Sequence, residues 1–128
     1  MAVIHDGEGR LLLVRKKGSH WFMQPGGKIG VGETPKDALK RELQEELERA
    51  CKLDDLRYVA KFTAPAANEP GSIVKADVFV LEASFPARPD SEIAEARWVT
   101  PTEAAALPLA ELTRENILPI MEAIHAYD

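Results

Sequence analysis

Three glutamates, Glu42, Glu45 and Glu46, lie within five residues of one another in a predicted helix. Residues three and four positions apart are neighbours on a helix surface, and like charges at that spacing repel by about 0.2–0.5 kcal/mol per pair. A compensating group is therefore expected nearby. Oxygen ligands at positions i, i+3 and i+4 suit one or more small hard cations such as Mg²⁺ or Mn²⁺, whereas zinc favours histidine and cysteine. The alternative is an ordinary solvated face, because glutamate is a good helix former.

A glycine-rich loop precedes the acidic helix. Residues 26–33 read GGKIGVGE. Glycine has no Cβ, so the backbone of such a loop can approach a ligand closely. The loop and the oxygen donors together favour a metal site over a solvated face.

Start signals and apolar spacing predict the helix itself. Thr34 suits the N-cap position, Pro35 suits the first helical position, and Asp37 completes a variant of the capping box. A buried stripe at every fourth position is formed by Leu39, Leu43 and Leu47. If Leu39 is set at zero on a helical wheel, the three glutamates fall between about −20° and −120°. The carboxylates therefore flank the apolar stripe, where repulsion is stronger than in bulk water.

Apolar runs and breakers predict a sheet around this helix. The predicted strands are residues 2–4, 11–14, 21–22, 56–63, 73–85 and 96–99, with a hairpin between the first two and a loop at 64–71. A short helix is predicted from Thr100 to Ala106. A last helix begins either at Thr113, with Pro119 inside it, or after Asn116 as N-cap, which puts that proline in the first turn. This order fits a mixed α/β sheet with helices on its faces.

Composition limits the class of protein. The chain has 128 residues, 45% of them hydrophobic, and a net charge of −5, which fits one domain over residues 1–128. The acidic balance argues against nucleic acid and membrane surfaces as partners. The single cysteine, with no signal-peptide pattern and no apolar run of about 20 residues, predicts a cytoplasmic protein. Because the first strand has no lead-in, we expect that a few of its residues are missing.

The segment from the glycine loop to the acidic helix resembles the Nudix box of the Nudix, or MutT-type, hydrolases. That box reads Gly, five residues, Glu, seven residues, then Arg-Glu-apolar-x-Glu-Glu-x-Gly-apolar. The matching residues in this chain are Gly27, Glu33, Arg41, Glu42, Leu43, Glu45 and Glu46. Glu48 and Arg49 depart from the box, since the family has glycine and an apolar residue there. Without that glycine we expect the helix to continue through residue 50 or 51, and we expect Arg49 to neutralise the glutamates in part.

The resemblance implies a fold and an activity. The implied fold is an α/β/α sandwich, in which the box loop and helix lie on one face of a mixed sheet and a C-terminal helix lies on the other. The implied activity is hydrolysis of a nucleoside diphosphate linked to another group X, with a (d)NTP or a nucleotide sugar such as ADP-ribose as substrate. A pyrophosphate is polyanionic and this protein is acidic, so cations are needed between the two.

The resemblance also implies residue roles. It assigns the metal to Glu42, Glu45, Glu46 and the Gly26 carbonyl. Arg41 is expected to pair with Glu33 or to steer a carboxylate, the alternative being a surface ion pair of little energetic value.

Phosphate contacts, the general base and the nucleobase site are less specified by the sequence. Gly27 and Lys28, and then Arg15 or Lys75, are candidates for phosphate, with solvated surface as the alternative for the basic residues. The base is either a box glutamate or an acid of a later loop, the candidates there being Glu92 and Glu95. Stacking on a nucleobase is a candidate role for Trp21, Phe22 and Phe62, which otherwise belong to the core. Asn116 has the amide needed to read a base edge, unless it is the helix cap.

Three functions remain to be distinguished. The leading hypothesis is a Mg²⁺-dependent Nudix pyrophosphohydrolase, and the second is a Nudix domain that senses a nucleotide without turnover. The third is a structural Ca²⁺-binding helix. The filled glutamate positions favour catalysis, and a homodimer is left open.

Overall fold

Six strands form one mixed sheet in the structure, a computed structural model that describes residues 1–27, 29–48 and 50–126. The predictions for Lys28 and Arg49 lie outside the described residues. The strands are β1 (Ala2–His5), β2 (Leu11–Lys16), β3 (Phe22–Met23), β4 (Arg57–Pro65), β5 (Ile73–Glu82) and β6 (Ile93–Val99).

Strand β2 joins the parts of the sheet. β6 pairs antiparallel with β2 over its whole length, and β1 and β3 share the other edge of β2, also antiparallel. β1 pairs in parallel with β5, whose other edge holds the antiparallel strand β4. The predicted hairpin between the first two strands is therefore confirmed. Because β4 continues to Pro65, the predicted loop from residue 64 was placed two residues too early.

The helices are α1 (Pro35–Leu47), α2 (Pro101–Ala105) and α3 (Leu118–Ala126), with a 3₁₀ turn at Leu53–Asp55 and a π-helical turn at Thr113–Ile117. None of the described helices is long and apolar enough to cross a bilayer. The start of α1 is as predicted, because the Thr34 hydroxyl accepts a 3.1 Å hydrogen bond from the Asp37 N–H and Pro35 is the first helical residue.

Side chains of β1 and β2 alternate between two apolar cores. One core packs against α1 and contains Ala2, Ile4, Leu12, Leu39, Leu43 and Leu47. The other packs against the C-terminal helix and contains Val3, Leu11, Leu13, Ile117, Leu118 and Met121. The three leucines of the α1 stripe are at most 3% exposed, and each such burial contributes about 1.5–3 kcal/mol. The predicted α/β/α sandwich, with α1 and the C-terminal helix on opposite faces, is confirmed.

The end of α1 differs from the prediction. The helix stops at Leu47 instead of continuing to residue 50 or 51, because Glu48 adopts a left-handed conformation with φ of 52°. Its N–H donates to the Gln44 carbonyl at 3.1 Å, as in a left-handed helix cap. The chain thus makes the turn that glycine makes in the family's box, but with a residue whose Cβ disfavours it.

The last helix also differs. Helical backbone begins at residue 111, so Asn116 lies inside the π-helical turn and is not an N-cap. The Leu118 N–H donates to the Thr113 carbonyl, five residues back. Pro119 follows directly and has no N–H to donate. A wider turn just before the proline lets the helix pass it without a break.

Candidate active site

Helix α1 presents its three glutamates with graded burial. Glu46 is 5% exposed, the Glu42 side chain is 16% exposed, and the Glu45 side chain is 52% exposed. This order follows their angular distance from the leucine stripe, as the helical wheel predicts. The glutamates therefore occupy the border between core and solvent.

Of the three glutamates on α1, Glu46 is the one that folding removes most completely from water. The pKa of Glu46 is raised to about 7, mainly by burial and in part by the charge of the neighbouring Glu42. A hydrogen bond from the Gly26 N–H to Glu46 Oε2, at 3.3 Å, and the charge of Lys16 act in the opposite direction. Glu92 also raises the pKa of Glu46, so this loop acid lies within electrostatic reach of the helix.

Gly27 leaves free the space that the Glu42 carboxylate occupies. A Cβ at residue 27 would lie 2.6 Å from Glu42 Cδ and from Glu42 Oε1, closer than non-bonded atoms approach. At Gly26 the constraint is on the backbone, since φ is 127° and a Cβ would lie 2.7 Å from the Met1 Cα. The carboxylates of Glu42 and Glu46 thus both reach the Gly26–Gly27 backbone.

Arg41 connects the loop to the acidic helix. Its Nε and Nη2 donate to the two oxygens of Glu33 at 2.8 and 2.9 Å, and its Nη1 donates to Glu42 at 2.9 Å and to Glu45 at 3.4 Å. The guanidinium lowers the pKa of the Glu33 carboxyl, and the Gly30 N–H lowers it further. Arg41 therefore pairs with Glu33, as one of its two alternative interpretations predicts, and it also contacts two of the three glutamates on α1. It also supplies the charge that compensates repulsion along α1.

A cleft of about 570 Å³ is lined by Gly26 and Gly27, whereas the three glutamates do not line it. It extends from Gly26 and Gly27 past the first turns of α1 to the loop after β4 and to β5. Lys16 and Lys75 both line it. Lys75 was a candidate from the sequence, whereas Lys16 was missed. The signal was available, because Leu12 and Val14 pack on the α1 face and Lys16 continues that alternation along β2.

The chain matches the model of the NUDIX domain over residues 1–120. It belongs to the Nudix family. A MutT-like protein of Streptomyces ambofaciens is 31% identical over 104 residues, which are 80% of this chain and 63% of that protein. An 8-oxo-dGTP diphosphatase of Haemophilus influenzae is 43% identical over 49 residues, 35% of this chain and 36% of that enzyme. The chain thus spans about a third of one relative and under two thirds of the other.

A solved structure supports the same assignment. The crystal structure of a MutT NUDIX hydrolase from Burkholderia pseudomallei is 26% identical and superposes with a TM-score of 0.76. The match covers 94% of this chain and 92% of that one. The resemblance read from the box residues is therefore confirmed, together with the fold that it implied.

The Nudix box residues fit a divalent ion in their chemistry. The side-chain donors are all carboxylate oxygens, which Mg²⁺ and Mn²⁺ prefer. Among the described residues, no three acidic, histidine or cysteine side chains already form a metal-binding group. Arg41 instead holds Glu42 and Glu45. A carboxylate has further lone pairs besides the one that accepts from Arg41, so these contacts leave Glu42 and Glu45 available as ligands.

Glu95 lies away from the Nudix box. It pairs with Arg15 across β2 and β6 and alternates with Ala96 and Trp98, which pack on the α1 face. Its side chain therefore points to the opposite face, where Arg15 and Arg97 donate to it at 3.1 and 2.5 Å. Arg97, and then Arg15, lower the pKa of Glu95. The structure brings neither Glu95 nor Arg15 to the cleft.

The candidates for nucleobase contact fall into two groups, those in the apolar core and those that are half-buried. Phe22 is buried in the apolar core that packs against the C-terminal helix, and Phe62 packs against the same core. Both side chains therefore have structural roles. Trp21 is half-buried and stacks edge-to-face on His20 with ring centroids 5.2 Å apart. Asn116 is half-buried in the π-helical turn. Neither Trp21 nor Asn116 is among the described residues that line the cleft.

Proposed function

We propose that this chain is a Nudix pyrophosphohydrolase, in which water attacks phosphorus and cleaves the pyrophosphate bond of a nucleoside diphosphate linked to X. One observation carries the proposal. The carboxylates of Glu42 and Glu46 reach the Gly26–Gly27 backbone at the edge of a cleft large enough for a nucleotide.

The proposed ligands of Mg²⁺ or Mn²⁺ are Glu42, Glu45, Glu46 and the Gly26 carbonyl. When bound, such an ion supplies charge stabilisation to phosphate oxygens and lowers the pKa of a bound water. Glu46 contributes a buried charge that has little other compensation. The repulsion between Glu42 and Glu46, which raises the pKa of Glu46, favours a cation between helix and loop.

Arg41 is proposed as a positioning residue. Its two parallel hydrogen bonds to Glu33 fix the plane of the guanidinium, as is typical of arginine–carboxylate pairs. The remaining nitrogen then presents a donor to Glu42 and Glu45. This arrangement fixes the position of the loop that carries Glu33 relative to the acidic face of α1.

Lysines of the cleft are proposed to hold the phosphates. Lys16 and Lys75 approach from two different strands, and both carry the mobile point charge that suits a phosphate oxygen. Lys28 stays a candidate on sequence grounds. Gly27 contributes by leaving room for the Glu42 carboxylate beside the loop backbone.

The general base is proposed to be a box glutamate or Glu92. A base must lie within hydrogen-bond reach of the attacking water, directly or through one further water. Glu92 lies within electrostatic reach of Glu46, whereas Glu95 is held by two arginines on the other face of the sheet.

The proposed substrate is a small nucleotide, a (d)NTP or a nucleotide sugar such as ADP-ribose, and the proposed location is the cytoplasm. The relative from H. influenzae is named as a diphosphatase of 8-oxo-dGTP, which supports a triphosphate. The acidic net charge supports a small ligand over nucleic acid.

A panel of (d)NTPs, ADP-ribose, dinucleoside polyphosphates and nucleotide sugars, assayed with Mg²⁺ or Mn²⁺, tests the proposal. We expect release of phosphate-containing product that stops on chelation. Glu45→Gln should remove most turnover and leave the fold intact, since this side chain is half in solvent. Glu122→Gln, an exposed glutamate of α3, is the matched control and should keep wild-type activity. Wild-type turnover by Glu45→Gln would contradict the metal assignment.

A nucleotide-sensing domain without turnover is the second candidate. It is favoured by the finding that, among the described residues, no three acidic, histidine or cysteine side chains form a ready metal-binding group. This function predicts nucleotide binding by calorimetry with no product release from any compound of the panel.

A further inference from the structure

A small inner pocket of about 40 Å³ adjoins the cleft. The residues that line both are Met1, Met23, Ala67 and Val74. Among the described residues that line the inner pocket, only Gln24 and Thr113 carry polar side chains. A polar pair at the end of an apolar cavity is the arrangement that gives a binding site its specificity.

The hydrogen bonds of this pair fix the direction in which the Gln24 amide points. The Thr113 hydroxyl donates to Gln24 Oε1 at 2.6 Å, and Gln24 Nε2 donates to the Met1 sulfur at 2.9 Å. The reverse amide orientation would leave the oxygen against sulfur with no donor, so the assignment follows from the partners. Gln24 and Thr113 are 1% and 0% exposed.

The donor side of this amide is poorly satisfied. A thioether sulfur is a weak acceptor, and a buried N–H gains little from it compared with a carbonyl oxygen. The amide carries two N–H groups, while its oxygen is already engaged. Gln24 therefore presents a buried donor to the pocket.

Methionine side chains separate the inner pocket from the cleft. Met1 and Met23 line both spaces, and unbranched methionine adapts readily to a ligand. The inner pocket alone has room for little more than a water molecule. A ligand in the cleft can therefore insert only the edge of a ring.

We propose that Gln24 is a specificity-determining residue that donates to a carbonyl oxygen on the base edge of the nucleotide. This inference rests on the proposed function. It assigns the chain a preference for keto bases over amino bases, since an exocyclic amino group would meet the amide with donor against donor. Thr113 is a positioning residue, because its hydroxyl holds Gln24 Oε1 and leaves the donors for the ligand.

Two pairs of substrates isolate this contact. Inosine and adenosine triphosphates differ only in a 6-keto or 6-amino group and the associated ring proton, and uridine and cytidine triphosphates differ likewise at position 4. We expect kcat/KM to favour the keto member of at least one pair by about tenfold, which is the order of one hydrogen bond. The difference should reside in KM.

The variants are Gln24→Met and the double variant Gln24→Met with Thr113→Val. The double variant removes both polar partners together, which a core tolerates better than the loss of one. Both should bring the keto-to-amino ratio close to one. Thr113→Ser keeps the hydroxyl and should keep the preference. A keto-to-amino ratio of one for both pairs in the wild type would overturn the inference, and so would a keto preference that is unchanged in a folded double variant. Neither result would contradict the proposed hydrolysis.

Binding separates this inference from the proposed function. If no compound is hydrolysed, the proposed function fails, and the affinities of inosine and adenosine monophosphate decide the role of Gln24 by calorimetry. Tighter binding of the inosine nucleotide, lost in the double variant, supports the inference. Equal affinities in the wild type refute it.

Discussion

Substitution of Gly27 by alanine tests whether the loop is shaped around Glu42. Gly27 lies outside the left-handed region of φ, so its backbone accepts an alanine. The added Cβ would stand 2.6 Å from Glu42 Cδ and 2.6 and 2.8 Å from its two carboxylate oxygens. Since ordinary carbon contacts begin near 3.5 Å, the carboxylate must move by about 1 Å.

A displacement of this size is large for catalysis and small for folding. Misplacement of a reacting group by about 1 Å can cost on the order of 100-fold in rate. The carboxylate is the far end of a flexible side chain and can move at little cost. Replacing glycine by alanine also stabilises the folded state by about 0.4–1 kcal/mol, because it reduces the conformational entropy of the unfolded chain. We therefore expect kcat/KM to fall about 100-fold and Tm to change by less than about 3 °C.

The assay is Mg²⁺-dependent product release at several substrate concentrations, with thermal melting of the same samples. Glu42→Asp, whose side chain is one methylene shorter, supplies the coupling test. The double variant Gly27→Ala with Glu42→Asp should have a kcat/KM no lower than that of Glu42→Asp alone, because the two substitutions disturb the same contact. Activity of Gly27→Ala within threefold of wild type would refute the reasoning, and so would strict additivity of the two losses.

The remaining predictions concern burial, backbone and charge. The pKa of Glu46 rises on folding from 4.5 to about 7, so in chelator the free energy of unfolding should fall as pH rises through this window. Relative to Glu46→Gln, the fall should be on the order of 3 kcal/mol, and parallel stability curves would contradict it. Glu48→Gly should raise the free energy of unfolding by about 0.5–1 kcal/mol, because glycine has no Cβ and adopts the left-handed conformation without strain. Glu48→Ala should give no gain, since alanine keeps the Cβ. Denaturant unfolding measures both. Lys16→Met should raise KM about tenfold in steady-state kinetics, while the exposed neighbour Lys17→Met serves as control; equal effects of the two would argue against a phosphate contact.

The predicted fold depended on local signals that the structure confirms. The N-cap at Thr34, the leucine stripe of α1 and the alternation of β1 and β2 are all set by residues close in sequence. The residues at which the helices begin and end were less predictable. Glu48 ends α1 in a conformation that its residue type disfavours, because the chain after the helix must turn back toward the sheet, and Asn116 lies within a helix because a π-helical turn accommodates Pro119.

The sequence by itself determined the family and its box, since the spacing of Glu33, Arg41 and the three glutamates is fixed by one loop and one helix. Only the tertiary structure decided which other side chains join them. Lys16 and Glu92 approach Glu46 from a strand and a loop that are distant in sequence, and Glu95 is carried to the opposite face of the sheet. Helix periodicity acts over a few residues and can be read directly from the chain. Strand pairing and register act between distant segments, and they set the face of the sheet on which each side chain lies.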